Sequence, residues 1–200
     1  MNALEAALRG IARELDARGR RWALVGGLAV SARAEPRTTR DVDVAVATDG
    51  DADAEALVFA LQGAGFRVVG AVEQDAAGRL ATVRLRPGSE GRLRGVVVDL
   101  LFASSGVEAE VADAAERLEV LAGVTVPVAR KGHLVALKVL ARDDRSRPRD
   151  AEDLRGLLAE SGPEDLVLAR EALRLVASRG FARGKDLEAE LERAVRDLGR

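Results

Sequence analysis

The run Arg40-Asp-Val-Asp-Val-Ala-Val46 fits one backbone conformation well. Valines at 42, 44 and 46 alternate with Asp41 and Asp43, the period of a half-buried strand. Side chains at i and i+2 of a strand share a face, so the two carboxylates project together while the valines face a core. Upstream, the apolar run Trp22-Ala-Leu-Val25 meets Gly26-Gly27, and residues 28–34 then read as a helix. A glycine pair between strand and helix lets the backbone approach a ligand and leaves N–H groups at a helix start. Alone, the pair reads as a tight turn, and the aspartates as the charged side of a half-exposed strand. Together, two carboxylates aimed at one spot beside such a turn are what metal-dependent phosphoryl or nucleotidyl transfer requires.

The rest of the chain divides by periodicity. Residues 2–18 predict an amphipathic helix with Leu4, Ala7, Leu8, Ile11 and Leu15 on one stripe. A helix over 52–64 stops at Gly63 and Gly65, and strands follow over 66–73, 79–86 and 95–102. The first two of these join at Ala76-Ala-Gly-Arg79 and the last pair at Pro87-Gly88. Gly95-Val-Val-Val-Asp-Leu-Leu-Phe102 is apolar on both faces, as a central strand is. Beyond 106 the pattern predicts a helix over 107–117, a strand at 124–129, and helices at 131–143, 148–160, 163–179 and 185–198. The expectation is an α+β chain: a mixed sheet flanked by helices over 1–106, then a mostly helical region over 107–200 packed on it.

Composition narrows the function classes. At 200 residues and 48% hydrophobic the chain buries a real core. A formal net charge of −2 gives no global basic field, so contact with nucleic acid needs a local patch. There is no cysteine, hence no disulfide framework and no Cys-based metal site. The first residues mix acidic and basic charge at helical spacing, unlike a signal peptide, and no uncharged apolar run has membrane-spanning length. The expectation is a cytoplasmic protein with no membrane partner. Lysine occurs only at 131, 138 and 185 among many arginines.

A third acid sharpens the reading. Asp99 lies inside Val96-Val-Val-Asp-Leu-Leu-Phe102, where an unpaired carboxylate is expensive. Either an arginine neutralises it, or it completes a metal site with Asp41 and Asp43. The glycine turn and the doublet favour the metal. Mg²⁺ prefers octahedral oxygen ligation from a few carboxylates, substrate phosphates and water. Two such ions about 3.5–4 Å apart clamp the attacking and leaving oxygens of an in-line displacement. On this reading Asp41 and Asp43 bridge the ions, and Asp99 holds the one that activates the acceptor hydroxyl or takes its proton.

Gly26-Gly-Leu-Ala29, Arg37-Thr-Thr-Arg-Asp-Val-Asp43 and Asp99 in its apolar strand together resemble the nucleotidyltransferase superfamily of the DNA polymerase β type. Within it the chain is most similar to the AbiEii/AbiGii family, nucleotidyltransferase toxins of bacterial toxin–antitoxin and abortive-infection systems. The spacing Arg37-x-Thr39-x-Asp41-x-Asp43 agrees with that family, as does the stretch Lys138-Val-Leu-Ala141 through Arg149-Asp150 to Asp153-Leu154. Arg147 stands where family members often carry lysine. Gly-Gly replaces the superfamily's usual Gly-Ser, leaving the phosphate grip to backbone amides, with Ser31, Thr38 or Thr39 as helpers. The resemblance covers residues 20–160. It implies a Mg²⁺-dependent transfer of NMP from an NTP to an acceptor hydroxyl, with a tRNA 3′ end as acceptor and an antitoxin protein as partner if the chain is a toxin. It further implies nucleotide-binding roles for Gly26, Gly27, Arg37, Thr39, Lys138 and Asp150. The competing reading is a nucleotide-binding or antitoxin-interacting module without turnover, against which three mutually repelling acids argue.

Several of these residues have a plainer reading as well. Lys138 lies on a largely apolar helix face, where its stem can snorkel; in an arginine-rich chain the choice of lysine there favours a compact ammonium. Asp150, in the first turn after Pro148, suits the helix dipole or polarises an incoming hydroxyl. Arg142, Arg145, Arg147 and Arg149 form a basic cluster, while Arg20, Arg21, Arg37 and Arg40 lie near the doublet in sequence. They are solvated charge balanced by Asp143 and Asp144, or a polyanion strip resting on phosphate contacts, since aromatic content is 2%. His133 reads as an ordinary surface residue.

Overall fold

The computed structural model describes residues 2–74, 78–88, 95–142 and 148–199, with only the backbone of Pro148. The Ala76-Ala77 turn and residues 143–147, which hold Arg145 and Arg147, lie outside them. Helix α1 (Ala3–Ala17) starts where the Asn2 side chain accepts the Glu5 N–H, and buries Ala7, Leu8, Ile11 and Leu15. Strand β1 (Trp22–Val25) is buried throughout and runs straight into α2 (Gly26–Arg33), so the helix begins on the glycines themselves. Strand β2 (Asp41–Val46) buries Val42, Val44 and Val46 completely, leaving Asp41 and Asp43 on the other face as the alternation required.

Helix α3 (Asp51–Gly63) leads to β3 (Phe66–Gln74), β4 (Arg79–Pro87) and β5 (Val97–Leu101). A short α4 (Glu108–Asp113) precedes β6 (Glu116–Leu121) and β7 (Val124–Val128); α5 (Lys131–Ala141), α6 (Pro148–Ala159), α7 (Pro163–Ser178) and α8 (Leu187–Asp197) follow. The strands form one seven-stranded mixed sheet in the order β3-β4-β5-β2-β1-β7-β6. The β2–β5 and β1–β7 pairs are parallel and the others antiparallel. The expected α+β mixed sheet with flanking helices is the observed fold.

One stretch departs from expectation. The helix predicted over 107–117 ends at Asp113, and Glu116-Arg-Leu-Glu-Val-Leu121 is a strand that hairpins back through Gly123, at φ +69°. Residues 116–121 alternate charge with Leu118 and Val120, and a half-exposed edge strand tolerates that pattern. Through β6 and β7 the chain beyond residue 106 extends the sheet. A single buried cluster runs from Leu8 and Ile11 through Val44, Val98 and Leu100 to Leu134, Leu157 and Leu173.

Candidate active site

The sheet register sets the site. Val25 on β1 lies opposite Asp43 on β2, Asp43 lies opposite Asp99 on β5, and Asp99 lies opposite Arg84 on β4. Four adjacent strands thus contribute one row of residues on one face. Neighbouring strands are about 4.8 Å apart, so the row brings Asp43 beside Asp99 although 55 residues of chain intervene. Asp41 shares the face of Asp43 by alternation.

The glycine turn closes one side of this row. Gly26 adopts φ +63°, and a Cβ there would lie 1.9 Å from Asp43 Oδ2. Only glycine lets the carboxylate pack against the turn. The Gly27 N–H lies close enough to Asp43 to favour its charged form, so the start of α2 already faces an acid of the doublet. A Cβ on Gly27 would meet Arg37 Nη2 at 2.7 Å and Thr39 Oγ1 at 2.9 Å. Both glycines are therefore gaps through which the loop 35–40 and β2 reach the helix start. Ser31 donates to the Gly27 carbonyl (3.0 Å) and accepts the Arg37 N–H (3.1 Å), pinning that loop. It does not line the cleft and is corrected from phosphate helper to loop anchor.

Burial dominates the electrostatics of the row. Burial pushes the Asp43 carboxyl up to about 6, with repulsion from Asp99 and then Asp41 adding to it; Lys138 and the Gly27 N–H act in the opposite sense. By exposed area Asp43 is only partly covered, yet protein surrounds it closely enough for desolvation to be the largest cause. Asp41 and Asp43 make no salt bridge among the described residues. Asp99 does: Arg84 Nε donates to Oδ1 at 2.8 Å and Nη2 to Oδ2 at 2.7 Å. Of the two fates open to this buried acid, the structure forms the arginine pair, while keeping Asp99 in register with Asp43.

A second cluster faces the row. Asp153, whose side chain is 2% exposed, receives Arg37 Nη2 at 2.9 Å and Lys138 Nζ at 2.7 Å. Arg37 Nε approaches Asp153 Oδ1 to 2.6 Å, an ion-pair contact whose angle makes no hydrogen bond. Asp150 takes Lys138 Nζ at 2.6 Å. The ammonium of Lys138 is thus held between two carboxylates at the start of α6, not left to snorkel.

All nine candidate positions (Gly26, Gly27, Arg37, Thr39, Asp41, Asp43, Asp99, Lys138, Asp150) line one cleft of about 1310 Å³. Thr38, Arg40, Arg84, Arg149 and Arg183 line it too. Arg20 and Arg21 do not: they precede the end of β1 remote from the glycine turn and pair with Asp53 and Asp113. His133 is buried at 4% exposure, not on the surface; burial, then Arg130, pushes it down to about 4, and its Nδ1 has no hydrogen-bond partner among the described residues. Sequence reading missed Arg84 and Asp153 as site residues. Asp153 stood in the quoted motif; Arg84 carried no local signal beyond strand alternation.

The donors in the row are carboxylate oxygens, the type that hard cations prefer. Among the described residues no three His, Cys, Asp or Glu side chains gather as a metal-holding group. Asp41 and Asp43, oxygen donors that make no salt bridge among the described residues, would suit a Mg²⁺ that draws its remaining ligands from phosphates and water. No helix among the described residues is long and apolar enough to cross a membrane.

The fold matches solved structures at low identity. An antigenic nucleotidyltransferase-like protein from Paracoccidioides brasiliensis aligns with a TM-score of 0.54 and 19% identity over 94% of this chain and 92% of its own. The lincosamide antibiotic adenylyltransferase LnuA, solved with lincomycin, aligns at 0.49 and 11% over 80% of this chain and 100% of its own. JHP933 from Helicobacter pylori aligns at 0.47 and 15% over 98% of this chain and 92% of its own. Comparison with curated proteins yields no significant match. The family model for the nucleotidyl transferase AbiEii toxin of type IV toxin–antitoxin systems matches residues 8–198, and with nearly its whole length matched this chain belongs to that family of nucleotidyltransferase enzymes.

Proposed function

We propose that the protein is a Mg²⁺-dependent toxin that moves an NMP group from an NTP to an acceptor hydroxyl, with the 3′ end of tRNA as acceptor. The acceptor oxygen forms a bond to the α-phosphorus, the α–β phosphoanhydride bond breaks, pyrophosphate leaves, and the hydroxyl proton passes to solvent. Asp41 and Asp43 hold the cation, which when bound neutralises the charge that develops on the phosphoryl oxygens. Asp99 completes the acidic wall beside Asp43. The backbone at Gly26 and Gly27 admits the triphosphate. Lys138, Arg37 and Thr39 orient it from the facing wall, and Asp150 holds the Lys138 ammonium in place. Arg40 and Arg149 on the cleft wall suit a polyanionic acceptor, with phosphate contacts in place of base stacking. The antitoxin belongs to the same reading as the partner that limits toxicity.

One observation carries the proposal: residues drawn from β1, α2, the 35–40 loop, β2, β5, α5 and α6 converge on one cleft whose two β2 carboxylates make no salt bridge among the described residues. A module that only bound nucleotide would have no need of two adjacent, mutually repelling carboxylates. Incubation with each α-labelled NTP, Mg²⁺ and total tRNA tests it. Label in tRNA is expected with the wild type and none with Asp43→Ala. Label in protein alone redirects the acceptor to a protein hydroxyl, and label in neither refutes turnover.

A further inference from the structure

Resting on the cation assignment above, we infer that Arg84 is a built-in cation that takes the place of a second divalent ion, so that the site holds one metal, on Asp41 and Asp43, and none on Asp99. The geometry points there by three routes. First, both Asp99 oxygens are occupied, in the fork-to-fork arrangement that a planar guanidinium makes and a lysine cannot. Second, the pairing is set by the sheet. Arg84 is the direct cross-strand neighbour of Asp99 on the side opposite Asp43, and alternation with buried Val83 and Leu85 puts it on the cleft face. Third, the charges match. Within the strand row itself, three carboxylates less one guanidinium leave two negative charges, both on β2, which one divalent ion neutralises.

The pair is asymmetric in a way that suits a positioning role. The Asp99 side chain is 11% exposed and that of Arg84 53%. The carboxylate is anchored in the sheet while the guanidinium fronts the cleft. Only Nε and Nη2 bond Asp99, so Nη1 keeps donors for an anionic oxygen of nucleotide or acceptor. Asp99 also holds the guanidinium further above its already high range, so Arg84 stays charged throughout. Lys138 and Arg37 are committed to Asp150 and Asp153, so among the described residues Arg84 is the cation salt-bridged to the carboxylate row.

Mn²⁺ is counted by electron paramagnetic resonance on the full chain saturated with a non-hydrolysable α,β-methylene NTP. The wild type is expected to bind one ion per chain, and Asp99→Asn and Arg84→Lys also one. Arg84→Gln, which keeps the shape and removes the charge, is expected to bind two; far-ultraviolet circular dichroism checks that it folds. Two ions in the wild type with one lost in Asp99→Asn overturn the inference, as does a count unchanged in folded Arg84→Gln. No bound ion in the wild type, or a count indifferent to Asp43→Asn, overturns the cation assignment beneath it and the inference with it.

Discussion

Asp43→Asn should inactivate the enzyme and stabilise its fold at once. The Asp43 carboxyl stands at about 6 instead of 3.8, a gap worth about 3 kcal/mol at 1.36 kcal/mol per pH unit. Because the group is partly accessible, about 1–2 kcal/mol is the working figure. The sign follows from proton counting. Between 3.8 and about 6 the folded chain binds more protons at this position than the unfolded chain, so stability falls as pH rises. The penalty is complete above about 6 and absent below 3.8. Asn removes the charge that burial, Asp99 and Asp41 disfavour, and keeps the size and shape of the side chain. Melts of wild type and Asp43→Asn in EDTA should therefore differ by about 3–6 °C at pH 8, with the mutant higher. The difference should shrink steadily towards pH 4. A mutant less stable than wild type at pH 8, or a difference indifferent to pH, refutes the electrostatic account.

Mg²⁺ should raise the melting temperature of the wild type and much less that of Asp43→Asn, because the ion relieves the same repulsion; equal shifts in both place the ion elsewhere. Gly26→Ala adds a Cβ 1.9 Å from Asp43 Oδ2 at φ +63°, and should cost about 2–4 kcal/mol in urea unfolding and abolish transfer. Gly27→Ala lacks the backbone penalty and pushes on Arg37 Nη2 and Thr39 Oγ1, so its effect should fall on KM for the NTP more than on stability. Asp153→Ala strips Arg37 and Lys138 of a buried partner and should destabilise by about 3 kcal/mol in urea, more than Asp150→Ala, whose carboxylate is less buried.

How far the site could be read in the sequence depended on the distance over which each signal acts. The β2 alternation is local, so Asp41 and Asp43 were placed on a common face from their spacing alone. The glycine turn was equally local, though its reason was not: Gly26 is glycine because a side chain from the next strand occupies the space where its Cβ would be. Asp99 was legible as an anomaly, a charge in an apolar strand, but its partner was not. Arg84 sits in Val-Arg-Leu-Arg, an ordinary half-exposed pattern, and only the β4–β5 register brings it to Asp99. Lys138 was noticed for its residue type; that two acids of α6 grip it needed the packing of α5 on α6. His133 departs from its surface reading because a polar residue at a helix start is usually solvated, whereas here it is buried with Arg130 and Glu110 near it. The β6 strand departs from the helix expected over 107–117 because α4 stops at Asp113 and the charge-rich run from Glu116 pairs with β7 at the sheet edge.

The pairing of Leu24 with Val128 has a consequence for how the polypeptide is born. Until β7 leaves the ribosome, the outer edge of Trp22-Ala-Leu-Val25, a wholly apolar segment, has no hydrogen-bonding neighbour. Such an edge is a template for pairing with another nascent chain. Joining ends about a hundred residues apart is also slow relative to forming the hairpins between them. Products that terminate before Val128 should accumulate as insoluble material.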